Sequence, residues 1–188
     1  MIRFIIFSLM MIGQAAYCQT NPLFQNLPVG KYAVGFKIIT LTDSSRVTKP
    51  LYNYFGEKET GDLTWKIAVH IWYPAKTNSG KGTLTYGDYC YNQLLSSTNG
   101  TIAEDRKTGQ LNAMRQNFQG FFGQIDDSKW QQLIATKLLA TKDAAPLNEK
   151  FPLLIGMLRP LSTSVTNEMM ASNGYVVAMV VNSGGRVP

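Results

Sequence analysis

Two nearly unbroken apolar runs, Phe151-Pro152-Leu153-Leu154-Ile155-Gly156-Met157 and Tyr175-Val176-Val177-Ala178-Met179-Val180-Val181, flank a short polar stretch near the end of the chain. A run without alternation offers no face to water, so each fits a strand buried on both faces of a parallel sheet. Between them the pattern predicts a loop and then a short helix, roughly Ser164 to Ser172. Asn173-Gly174 ends it, where glycine suits the left-handed position after a helix. Strand, helix, strand in this order is a βαβ unit, and the fold class expected is α/β.

Upstream, Lys31 to Leu41 is rich in β-branched and aromatic residues and predicts a strand, with Asp43-Ser44-Ser45 as the turn that ends it. From Trp65 to Tyr73 the residues alternate. Trp65, Ile67, Val69, Ile71 and Tyr73 form the more apolar face, and Lys66, Ala68, His70 and Trp72 the less apolar one, with Pro74 closing the strand. The two segments predict an antiparallel pair joined by a long irregular loop. Asn78 to Gly87 has loop composition, and the tyrosine-rich Tyr86-Gly87-Asp88-Tyr89-Cys90-Tyr91 fits neither period.

Helical signals run from Thr101 to Thr141. Thr101 with Glu104, and Ser128 with Gln131, match capping boxes, and Trp130, Leu133, Ile134, Lys137 and Leu138 fall at helical spacing. Gly120 and Gly123 predict a bent link between two helices, and Ala144-Ala145-Pro146 closes the region.

The first residues carry one cation, Arg3, then an apolar run from Phe4 to Ile12, then small or neutral residues to Ala16-Tyr17-Cys18. This is the layout of a cleavable secretory signal, too short to span a bilayer as a helix. Export is the expectation, to the periplasm or the medium. A cut after Cys18 places small residues where the cleavage site wants them and leaves Gln19 first; a mature start near Ala16 is the alternative. A lipid anchor on Cys18 is weighed and disfavoured, because Tyr17 occupies the place where that pattern wants a small residue. Once Cys18 leaves, Cys90 is the remaining thiol, which excludes an intrachain disulfide and a cysteine metal cluster.

Residues 19–188, about 170, suffice for one domain. The net charge of +6 comes from Lys and Arg interleaved with Asp and Glu, which argues for a solvated surface and against a nucleic-acid partner. His70, the sole histidine, lies mid-strand and reads as structural, and one histidine with scattered carboxylates does not make a zinc site. Cys90 reads as buried and inert, and Asp126-Asp127 as a pair at a helix start. Gly184-Gly185-Arg186 lacks the spacing of a nucleotide-binding turn. No cofactor and no metal is expected.

Three features together resemble the secreted α/β-hydrolases of the platelet-activating-factor acetylhydrolase and dienelactone-hydrolase type. They are the strand pair whose second member ends in Ile71-Trp72-Tyr73-Pro74, the Phe151-Pro152-Leu153-Leu154-Ile155 strand, and Ala171-Ser172-Asn173-Gly174-Tyr175-Val176-Val177-Ala178. The resemblance covers about half the mature chain and implies a partial hydrolase sheet. An antiparallel first pair comes first, then a parallel βαβ unit, with a helical insert at about 101–141 between them. It implies a serine hydrolase of carboxylic esters or related acyl compounds, of which this chain is the N-terminal part. The family's nucleophile sits in a Gly-x-Ser-x-Gly turn after the fifth strand, followed by an acid and a histidine. The sequence contains no such turn, and no histidine follows His70.

In that family the loop after the third strand donates an N–H to the oxyanion. Here the loop is Gly156-Met157-Leu158-Arg159-Pro160-Leu161, so Leu158 and Arg159 are the candidates, and Pro160 has no N–H to give. Without the triad the chain is expected to be inactive alone, and a sheet edge left without its neighbour invites self-association. The other reading is a complete, exported, non-catalytic binding module, with tyrosines and Trp72 as contacts.

Overall fold

A computed structural model describes residues 22–24, 27–47, 52–58, 64–77, 79–95, 104–157 and 160–181. The leader, Thr101, and the oxyanion candidates Leu158 and Arg159 lie outside the described residues.

The β-branched and aromatic segments form strands. β1 (Ala33–Val47) and β2 (Thr64–Ala75) pair antiparallel, Phe36 opposite Trp72 and Ile38 opposite His70. β1 does not stop at Asp43 as the turn residues suggest. Asp43 instead accepts from the N–H and hydroxyl of Ser45 where the register shifts, so the turn chemistry bends the strand without ending it. Two strands arise where none was expected: β3 (Thr83–Thr85) inside the presumed loop, and β4 (Lys137–Lys142) inside the presumed helical insert. β4 lies parallel to β1, and its Leu138 and Ala140 are buried. Their tertiary partner outweighs a helical spacing that local periodicity alone supports.

β5 (Leu153–Gly156) and β6 (Val176–Val181) are parallel, joined by a helix, as the βαβ pattern requires. The sheet order is β3-β4-β1-β2-β6-β5, so the last described strand inserts between β2 and β5. One expectation fails here. β5 is an edge strand, with Leu153 56%, Leu154 38% and Ile155 71% exposed, and is not buried on both faces.

Four helices are described: α1 (Tyr86–Leu95), α2 (Glu104–Phe122), α3 (Asp127–Ala135) and α4 (Pro160–Ser172). The tyrosine-rich segment is thus the start of α1. It begins where the Asp88 carboxylate accepts from the N–H and hydroxyl of Thr85. α3 is capped two residues before the predicted capping box, by Asp126, whose carboxylate accepts from the Lys129 N–H. Pro160 opens α4, where a missing N–H costs nothing. Gly174, at φ +91°, lets the chain turn out of α4 into β6.

The main core gathers Val34, Phe36, Trp72, Leu138, Ala140, Val177 and Met179 from one face of the sheet. Tyr89 and Cys90 of α1 and Ala171 of α4 lie against them, with Leu111 and Met114 of α2 alongside. The face that looked less apolar in β2, Ala68, His70 and Trp72, is therefore the deeply buried one. The opposite face holds a smaller cluster of Tyr73, Ala75 and Ala144 with Ile71 and Val176, to which no described helix contributes.

Candidate functional site

α4 carries the feature that periodicity alone did not reveal. Ser164, Asn167, Glu168, Ala171 and Ser172 recur at the spacing of one helix face, and all are buried. A polar stripe turned inward requires partners, and most of it has them. Ser172 accepts from the Gly30 N–H at 2.9 Å and donates to the Met169 carbonyl at 2.7 Å, and Asn167 donates to Thr163 at 3.2 Å.

Glu168 is the hub. One carboxylate oxygen accepts from the Tyr89 hydroxyl and the other from the Leu139 N–H at 2.6 Å, while the Tyr89 oxygen accepts from Trp72 Nε1 at 2.9 Å. The network ties α4, α1, β4 and β2 together across the core. Burial pushes the Glu168 carboxyl up to about 7, against the pull of the Tyr89 hydroxyl and of the Leu139 and Ala140 N–H groups. Burial likewise holds the Tyr89 phenol well above its ordinary value, and the charge of Glu168 adds to this.

His70 lies on the same face, edge-on to Phe36 at 5.6 Å and 6.2 Å from the Trp72 ring. It is fully buried, and neither ring nitrogen finds a partner among the described residues. Burial lowers it to about 4, so the imidazole is neutral. A base sealed from solvent and flanked by aromatic rings reaches no substrate, which agrees with its structural reading. Cys90 is buried too, its thiol donating to the Tyr86 carbonyl, and burial pushes it up to about 12. Such a thiol is no nucleophile at neutral pH.

The buried groups form a brace across the core. In open α/β sheets, ligands bind outside the carboxyl ends of the parallel strands. Here that rim is where β5 ends at Gly156, with exposed Met157 beyond it and α4 beginning at Pro160. The candidates Leu158 and Arg159 fall in this loop, outside the described residues. No sequence-predicted site residue therefore lies among the described residues. Among the described residues, no cluster of three or more His, Cys, Asp or Glu side chains is placed to hold a metal, and no helix is long and apolar enough to cross a membrane.

No family model matches the sequence, and neither does any curated protein. Among solved structures, the chain is similar to a ferulic acid esterase from Streptomyces cinnamoneus, at 18% identity and a TM-score of 0.45. The match covers 86% of this chain and 39% of the esterase chain.

Proposed function

We propose that this chain is the N-terminal part of an exported serine hydrolase acting on carboxylic esters or related acyl compounds. The observation that carries the reading is the free edge of β5. Leu153, Leu154 and Ile155 have the composition of an interior parallel strand and yet are exposed, along a row of backbone groups that no described strand pairs.

The opposite face of the sheet supports the same reading. α4 connects β5 to β6 on the Trp72 face while the chain moves inward across the sheet. A right-handed crossover from β6 back past β5 moves the other way, so its helix lies on the face where Ile71 and Val176 sit. One further βαβ step thus covers the bare face and the bare edge together. The order reverses at β5, and the loop after β5 becomes one wall of the crevice at that reversal.

In this reading the Leu158 and Arg159 N–H groups face the developing oxyanion, while serine, acid and histidine come from residues that follow Pro188. The serine attacks the acyl carbon, the alcohol leaves, and water releases the acid from the acyl-enzyme. Export rests on the leader, cleaved after Cys18. The test is the coding DNA read through the codon for Pro188, followed by a fluorophosphonate probe. A frame that runs into a Gly-x-Ser-x-Gly turn, with labelling of the longer protein and none of residues 19–188, is expected. A stop directly after Pro188, or stoichiometric labelling of residues 19–188, defeats the proposal.

A further inference from the structure

The chain enters the fold through a strap. Pro22–Phe24 makes one 3₁₀ turn, the Leu27 N–H donates to the Phe24 carbonyl at 2.9 Å, and residues 27–32 lead past the last turn of α4 into β1. Phe24 is 6% exposed and belongs to the main core, with Leu23 and Leu27 packed against it. The Gly30 N–H donates to the Ser172 hydroxyl at 2.9 Å, the Tyr32 N–H to the Ser172 carbonyl at 3.0 Å, and the Asn173 amide to the Pro28 carbonyl at 2.7 Å. The approach is close, since a Cβ on Gly30 would overlap the Ser172 carbonyl. The Tyr32 ring meets Phe151 edge-on at 5.4 Å, just before β5 begins.

These partners are distant in sequence. Ser172 stands 142 positions after Gly30, so the strap has no α4 to dock on until most of the chain has been made. It is free early and closes late. On the reading of residues 1–18 as a cleavable leader, we propose that docking of the strap ends the period in which the leader can be removed. The bond after Cys18 is open to a signal peptidase while the strap is free, and is shielded once the strap lies on α4.

The reason is reach. The bond lies outside the described residues, but chain length bounds its distance from the core: Phe24 follows Gln19 by five positions, which extended backbone spans in about 18 Å at most. A domain of about 170 residues has a radius of gyration of about 15 Å, so its bulk stands beside the bond. A peptidase takes its substrate as extended backbone on both sides of the bond, and a leader's apolar run keeps that bond at the membrane surface. Once Phe24 is buried, enzyme, bilayer and domain compete for the same short segment. Cutting the folded precursor then requires the strap to leave its site, and the rate follows the small open fraction.

The test is the full chain, leader included, held in mild detergent and given a purified signal peptidase, either folded or diluted from urea directly onto the enzyme. Mass spectrometry of the product reads the cut. The unfolded chain should be cut after Cys18 about a hundredfold faster than the folded one, the ratio expected from burying one phenylalanine and making several hydrogen bonds. Gly30→Val, which forces the strap off Ser172, should restore most of the rate in the folded chain. Asn173→Ala should raise it by less, and a change 145 positions from Pro28 reaches the leader only through the strap. A flexible insert of about ten residues after Thr20 should free the bond while leaving the strap docked. Equal rates for the folded and unfolded wild type, or a folded insert variant that stays resistant, overturns the proposal. An unfolded chain that is not cut at all overturns the leader reading, and the proposal with it.

Discussion

Glu168 and His70 titrate in opposite senses inside one core. Between about pH 4.5 and 7 the unfolded chain releases the Glu168 proton that the folded chain keeps, so stability falls as pH rises across that window. Between about pH 6.5 and 4 the unfolded chain binds a proton on His70 that the folded chain refuses, so stability falls as pH falls. Each effect is worth about 3 kcal/mol at full extent, and where the windows overlap the slopes cancel. Glu168→Gln should therefore uncover a loss of stability on acidification below about pH 6.5, and His70→Phe a loss between about pH 4.5 and 7. Urea midpoints across pH decide this, and parallel profiles for the three proteins count against it. Tyr89→Phe leaves Trp72 Nε1 and one Glu168 oxygen without their partner and should cost about 1–3 kcal/mol at fixed pH. His70 and Cys90 were legible as structural because nothing near them in sequence activates them. Glu168 was not, because an inward polar stripe and a solvated one have the same spacing, and only Tyr89, 79 positions away, distinguishes them.

At the scale of elements, the antiparallel pair and the βαβ unit were legible because their patterns are long and unambiguous. β3 and β4 were not. β3 spans three residues, and the period of β4 continues that of α3 until a neighbouring strand decides it. The β1–β2 pair also rests on a close approach. A Cβ on Gly35 would overlap the Tyr73 ring, whose hydroxyl donates to the Ala144 carbonyl at 2.7 Å. Gly35→Ala should destabilise by about 1–3 kcal/mol, and by less in a Tyr73→Leu background. Denaturation of the four members of that cycle measures the difference, and simple additivity would show that the ring is not the obstacle.

For the whole molecule, the bare edge of β5 and the bare face beside it predict concentration-dependent association of the isolated chain. Ile155→Lys places a charge where both meet and should shift the sedimentation profile toward monomer, while an unchanged profile would locate the association elsewhere. The same topology governs how the chain assembles as it is synthesised, amino end first. β5 emerges before β6 but touches no other described strand until β6 has slid between it and β2. That half of the sheet has no early intermediate to rest in. Synthesis interrupted anywhere before Val181 therefore strands β5 and α4 without the strand that joins them to the sheet, and quality-control proteases meet a longer-lived substrate there than at the β1–β2 hairpin.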